Sequence, residues 1–133
     1  MKYIFSFLLS IFIFFQVFAQ THIDVYYLSA NAYCPSVEMI ENEAKSVLSE
    51  YYKEELENKT IQEKHLNIME DSSKNFTSKW EIYTNGLILL VEKDTLTFKV
   101  DLNDFAFTNI PARPNEFKQG LKTTIDGLLE NNK

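Results

Sequence analysis

The chain has 133 residues, of which 45% are hydrophobic, and it carries 13 basic and 19 acidic side chains for a net charge of −6. This acidic balance, without any run of Lys or Arg, disfavours nucleic acid and anionic membrane surfaces as partners. The single cysteine excludes a disulfide within the chain, so in an oxidising compartment it is either buried or free to pair with another molecule.

The first nineteen residues have the pattern of a secretory signal peptide. One early cation, Lys2, precedes an almost continuous apolar run over residues 4–18, which is shorter than a transmembrane helix requires. The run ends with small residues, Val17 and Ala19, at the positions that a signal peptidase reads. We expect cleavage after Ala19, a periplasmic or extracellular mature protein, and no membrane association after cleavage; an uncleaved anchor is the alternative.

The remaining residues, 20–133, carry 12 basic and 19 acidic side chains, a net charge of −7. Their number suits a single domain with one core. Residues 23–28 are nearly all apolar or aromatic, which is typical of a central strand covered on both faces. Pro35 then stands where the first turn of a helix tolerates proline, and apolar residues follow at spacings of three and four to about Tyr52. This pattern predicts a strand followed by an amphipathic helix.

The middle of the chain is predicted to contain a polar linker over residues 53–59 and a second strand within residues 60–69. Residues 71–73 offer capping groups for a short helix on which Phe76 and Trp80 are four apart, so that both rings face the core together. Asn85 and Gly86 end this unit.

The last third begins with the clearest hairpin of the chain. Residues 87–91 are uniformly apolar, Lys93 and Asp94 suggest a two-residue turn, and residues 96–101 alternate between apolar and polar. A loop is predicted over residues 104–114, and a final amphipathic helix over Phe117 to Leu129.

This order predicts an α/β fold, because a strand-helix-strand opening implies a parallel pair of strands with a right-handed crossover. The hairpin adds antiparallel strands, so the expected sheet is four-stranded and mixed, with helices on both faces.

The segment "VYYLSANAYCPSVEMIE", residues 25–41, resembles the opening of small exported bacterial thioredoxin-like proteins labelled as subunits of a nitrophenyl-compound nitroreductase. The segments "LNIMED" and "KWEIYTNGLILLVEKD" resemble the second strand of that family and its approach to the hairpin. The resemblance covers most of residues 20–133 and implies a thioredoxin-like fold. It also implies a C-x-x-C pair at the start of the first helix, where this chain has Cys34, Pro35, Ser36 and Val37.

Two departures from the family bear on activity. Val37 replaces the second cysteine, so a mixed disulfide on Cys34 cannot be resolved within the chain. Thr84-Asn85-Gly86 stands where thioredoxins place a cis-proline beside the active cysteine, which leaves the docking of a substrate strand in doubt. The residues expected around Cys34 in a binding role are Tyr33, Pro35, Ser36, Thr84 and Asn85.

Two functions follow from these residues. In the first, Cys34 is the catalytic residue, a single redox thiol that forms mixed disulfides with a partner protein or a small thiol. A disulfide-linked homodimer and oxidation to sulfenic acid are further fates of an exposed thiol. In the second, Cys34 is inert and the domain is a non-catalytic interaction module that presents residues 33–36 and 105–113 to a partner.

The groups near Cys34 in the sequence have opposing effects on the stability of its thiolate. Backbone N–H groups at a helix start favour a thiolate, whereas Glu38 opposes it and no Lys, Arg or His stands within five residues. His22 and His65 are isolated in the sequence, so we expect no metal site, and no motif indicates a cofactor.

Overall fold

The computed structural model describes residues 21–30 and 33–130. The predicted signal peptide therefore lies outside the described residues. In chain order the elements are β1 (His22–Ser29), α1 (Pro35–Tyr51), α2 (Lys53–Glu57), β2 (Ile61–Asn67), a 3-10 turn (Asp71–Ser73), α3 (Lys74–Lys79), β3 (Gly86–Lys93), β4 (Leu96–Asp101), α4 (Asn103–Asn109) and α5 (Pro114–Glu130).

The four strands form one mixed sheet in the order β2-β1-β3-β4. β1 pairs parallel with β2 and antiparallel with β3, and β3 pairs antiparallel with β4. Because parallel strands need a crossover connection, α1 carries the chain from the end of β1 back to the start of β2. The α/β fold of the thioredoxin-like class and the four-stranded mixed sheet are confirmed.

Helices cover both faces of the sheet, as predicted. On one face, side chains of α1, α4 and α5 pack with alternate residues of β1 and β3 into the main core. Its fully buried members include Val25, Leu89 and Phe117. On the other face, the partly buried rings of Phe76 and Trp80 pack against a smaller cluster formed by Leu28, Ile82 and Ile88.

Two segments that the sequence did not predict as helical are helices. The predicted linker contains α2, whose first turn carries Glu54 and Glu55; carboxylates at a helix N-terminus interact favourably with its dipole. The predicted loop over residues 104–114 contains α4, which buries Ala106 fully and packs Phe105 and Phe107 against the main core. Contact with the main core therefore stabilises α4 as a helix.

The hairpin turn lies one residue later than predicted. Lys93 pairs with Leu96, so the two turn residues are Asp94 and Thr95. Asp94 has a φ of 55°, and aspartate accepts this left-handed conformation more readily than most residues.

Gly86 begins β3 under a close contact that excludes any side chain. Its φ is 143°, and a Cβ atom there would lie 2.0 Å from the Oδ1 atom of Asn103. That oxygen accepts a hydrogen bond of 2.7 Å from the backbone N–H of Leu87. The first residue of α4 therefore holds the start of β3.

We expect Gly86→Ala to lower the free energy of unfolding by about 1–3 kcal/mol, because it combines backbone strain with the loss of the bond to Asn103. Urea unfolding followed by circular dichroism measures the change. Gly127→Ala is the matched control: a Cβ there has no neighbour within 4 Å. It lies in a helix, where alanine is favoured by roughly 0.5–1 kcal/mol. Equal effects of the two substitutions would contradict this account of Gly86.

Candidate functional site

An open cavity of about 550 Å³ lies where β1 ends and α1 begins. Because α1 is the crossover between parallel strands, its N-terminus sits at the carboxyl end of β1. The lining residues are Ser29, Ala30, Tyr33, Cys34, Val37, Glu38, Glu41, Asn42 and Asn85.

Cys34 is the N-cap residue of α1 and is partly exposed. Its carbonyl oxygen accepts hydrogen bonds from the N–H groups of Val37, at 3.0 Å, and Glu38, at 3.2 Å. Its side chain makes no capping hydrogen bond, so the sulfur does not cap the helix. Val37 lines the same cavity, which places an isopropyl group where the C-x-x-C pattern has its second thiol.

The ionisable groups of the cavity wall are acidic. Glu38 and Glu41 both line it, and no Lys, Arg or His is among its lining residues. The Tyr33 hydroxyl donates a hydrogen bond to a Glu38 carboxylate oxygen. This bond and the negative charge of Glu38 raise the pKa of Tyr33 above its ordinary value.

Glu41 connects the cavity wall to the neighbouring strand. One carboxylate oxygen is hydrogen-bonded to Lys45 and to the Nε2 atom of His65, the latter at 2.8 Å. Partial burial raises the pKa of Glu41, but the hydrogen bonds and charges of Lys45 and His65 lower it by more, so it lies below the ordinary value. Glu41 thus stays ionised in mildly acidic solution.

The structure brings together only some of the residues predicted around Cys34. Tyr33 and Asn85 line the cavity with it. Pro35 and Ser36 form the first turn of α1 but are not among the lining residues, and Thr84 faces Asn103, whose Nδ2 atom donates to its hydroxyl at 3.4 Å.

Sequence reasoning missed four lining residues: Ser29, Ala30, Glu41 and Asn42. A signal for the last two was present, because positions 34, 37, 38, 41 and 42 have the three-and-four spacing of one helix face. That face of α1 lies next to its apolar face, and the prediction of the helix was based on the apolar face only.

Both histidines pair with carboxylates outside any metal cluster. The Nε2 atom of His22 lies 3.0 Å from Asp24, and His65 contacts Glu41. Within residues 21–30 and 33–130, no three His, Cys, Asp or Glu side chains are grouped as metal ligands would be. No helix in the same part of the chain has the length and apolarity needed to cross a membrane.

Comparisons with known proteins give no family for this chain. No family model matches it, and no curated protein matches it. One similar solved structure is described as "Structure of a malarial protein"; it is 15% identical, with a TM-score of 0.40, over 65% of this chain and 93% of the other. A likeness this distant indicates neither a family nor a function.

We expect Glu41→Gln to flatten the pH dependence of stability in acid. The pKa of Glu41 is lower in the folded chain than its ordinary value of 4.5. The unfolded chain therefore binds more protons as the pH falls through and below 4.5, and the stability that the carboxylate contributes is lost over that range. Urea midpoints measured from pH 7 to pH 3 should fall less in the variant than in the natural protein. A parallel fall in both would show that the bonds of Glu41 add nothing.

Proposed function

We propose that this chain is a divergent member of the exported thioredoxin-like proteins that it resembles, and that Cys34 acts as a single redox thiol. The observation that supports this most directly is the position of Cys34, partly exposed on the wall of an open cavity and without a capping role. A thiol must be accessible to exchange disulfides.

The reaction is a thiol-disulfide exchange. The Cys34 thiolate attacks one sulfur of a disulfide in a partner protein or small molecule and forms a mixed disulfide. The other half leaves as a thiolate, which takes up the proton that Cys34 lost. Val37 offers no second thiol, so a thiol of another molecule must attack the mixed disulfide and release Cys34 again.

Reaction of the reduced, folded protein with 2,2′-dithiodipyridine tests the proposal. We expect Cys34 to react in native buffer and to release one pyridine-2-thione per chain, measured by absorbance. The Cys34→Ser variant should release none, because the chain has no other cysteine. If thione appears only after urea unfolds the protein, Cys34 is enclosed and the proposal is wrong.

A second variant extends the same measurement. Val37→Cys places a thiol beside Cys34 in the same cavity. The new thiol should attack the mixed disulfide, displace a second pyridine-2-thione and close a disulfide between positions 34 and 37. Two thiones per chain are released whether or not this disulfide closes, so the mass of the product decides. A chain two hydrogens lighter than the reduced protein supports the proposed geometry; a pyridylthio group retained at each position contradicts it.

The second candidate function is the non-catalytic interaction module. The exposed side chain of Tyr33, which is 78% accessible beside the cavity, favours it. The second segment assigned to that module needs revision, since Phe105 and Phe107 belong to α4 and pack on the main core. Cys34→Ser separates the two candidates. An interaction module still binds its partners after this substitution, whereas a redox protein no longer forms mixed disulfides with them.

We also propose export through the N-terminal signal, on the basis of the sequence alone. Expression of the full chain with its natural N-terminus in a bacterial host should yield a periplasmic protein that begins at Gln20, as determined by mass spectrometry of the fractionated cells. The reason is the pairing of a short apolar run with small residues before the cleavage point. A chain that keeps residues 1–19 and sediments with membranes would support the anchor instead.

A further inference from the structure

In the described part of the chain, the sheet ends in two edges that no further strand covers. β2 forms one edge and β4 the other, because the strand order is β2-β1-β3-β4. An edge strand presents unpaired backbone groups, and proteins commonly protect it with charged side chains. β2 has four consecutive polar residues, Gln62 to His65, whereas β4 alternates apolar and polar residues in the stretch LTFKV, residues 96–100. β4 is therefore the less protected edge.

The backbone of β4 alternates between groups that bond to β3 and groups that point away from the sheet. The N–H of Leu102, directly after β4, donates to the carbonyl of Leu87 at 3.1 Å, so residue 102 turns its backbone toward β3. In an antiparallel pair this direction repeats at every second residue. The even-numbered residues of β4 therefore bond to β3, and the N–H and C=O groups of Thr97 and Lys99 point outward.

The side chains of the even-numbered residues form an apolar strip along this edge. Leu96, Phe98 and Val100 lie on one face, because side chains two apart in a strand point the same way. Val100 packs against the main core, whereas Phe98 is 39% exposed and Leu96 is 69% exposed. The strip thus extends the main core to the edge of the sheet and leaves two large side chains in contact with water.

The strip is complementary to a second copy of itself. Its alternation of apolar and polar residues reads the same in both directions, with Phe98 at the centre. Two copies related by a two-fold axis at Phe98 therefore form an antiparallel pair in which Phe98 lies opposite Phe98 and Leu96 lies opposite Val100. Thr97 of each copy then faces Lys99 of the other, and these residues exchange their outward backbone hydrogen bonds.

The charges of β4 permit this alignment and disfavour the next one. Residues 93–101 carry two Lys and two Asp, so this edge is locally neutral although the whole chain is acidic. The Lys99 ammonium donates to the backbone carbonyl of Trp80 at 2.8 Å and lies 3.7 Å from Asp101, so it is paired within its own chain. A two-fold axis one residue later would place Lys99 opposite Lys99, and like charges directly opposite are destabilising.

We propose that two copies of this chain associate through antiparallel pairing of β4, which joins their four-stranded sheets into one continuous sheet. The pairing adds backbone hydrogen bonds and covers Leu96 and Phe98 of both copies. No residue of β4 lines the cavity around Cys34, so the association is independent of the redox function and of a dimer linked through that cysteine. Because the contact is confined to one strand and its neighbours, we expect a dissociation constant on the order of 10 µM.

Sedimentation velocity of the Cys34→Ser protein tests the association, because this substitution removes any disulfide-linked dimer. From about 1 µM to about 300 µM, a range that spans the expected dissociation constant, the sedimentation coefficient should rise from the value of a monomer to that of a dimer. A monomer at every concentration would overturn the proposal.

Hydrogen exchange identifies the edge that pairs. The outward amides of Thr97 and Lys99 should exchange at least about fivefold more slowly at the high concentration than at the low one. The outward amides of Glu63 and His65 on β2 are the matched control: the N–H of Ile68 bonds to β1, so the amides of these odd-numbered residues point away from it. Protection that appears on β2 instead would contradict the pairing of β4.

Two lysine substitutions in the Cys34→Ser protein separate strand pairing from general association. Phe98→Lys places two ammonium groups opposite each other across the two-fold axis, so the dissociation constant should rise at least about tenfold. Met39→Lys is the matched control, because it adds the same charge at a methionine that is 46% exposed on α1. It should change the dissociation constant less than about twofold. Equal effects of the two substitutions would contradict the proposed contact.

A proline substitution tests the backbone bonds directly. Because the N–H of Thr97 points outward, Thr97→Pro keeps the bonds between β3 and β4 and removes one hydrogen bond per copy from the dimer. The far-ultraviolet circular dichroism should be unchanged, while the dissociation constant should rise at least about fivefold. A dimer that tolerates this proline would contradict the proposed alignment. Loss of the dimer without any change in thione release by Cys34 would show that the association and the redox function are separate.

Discussion

The parallel pairing of β1 with β2 is the constraint on which the site depends. Seven residues of β1 match seven of β2 in register, and a parallel pair can be joined only by a connection that crosses back over the sheet. The crossover fixes where α1 starts, and the start of α1 fixes Cys34 beside the ends of the strands. The cavity is thus a product of topology. Its chemical character is set by the first two turns of α1, which supply Cys34, Val37, Glu38 and Glu41.

The elements that were predicted well are those that are largely buried and therefore rich in apolar residues. β1 and β3 are nearly continuous apolar runs, and α1 and α5 repeat apolar residues at helical spacing, so one physical signal sufficed for each. α4 was not predicted because Phe105 and Phe107 are two apart, a spacing that favours a strand, and because Pro111 and Pro114 follow. Ala106, between the two rings, is buried by tertiary contacts, which the periodicity of the sequence does not reveal. α2 was not predicted because none of its residues is buried, so it has no apolar face at helical spacing.

The candidate site was predictable at its centre and less so at its wall. Cys34 was recognisable from its place before Pro35, and Tyr33 and Asn85 from the resemblance to thioredoxin-like proteins. Glu41 and Asn42 lie on the polar side of α1, and polar helix residues are ordinarily read as solvent-facing. Only the three-dimensional arrangement shows that they border a cavity, and that the pairing of Glu41 with His65 joins this wall to β2. The acidic character of the site is a structural finding for that reason.

The side chain of Asn103 joins the start of α4 to the connection that leads into β3. Its amide oxygen accepts from Leu87 and its amide nitrogen donates to Thr84, so it brackets the Asn85-Gly86 step from both sides. Asn85 is a wall residue of the cavity, whereas Asn103 opens α4, which packs into the main core on one face of the sheet. The start of α4 is therefore linked to the segment beside the opening around Cys34 through one amide group. The core and the sheet edge that carries Cys34 are joined at that point.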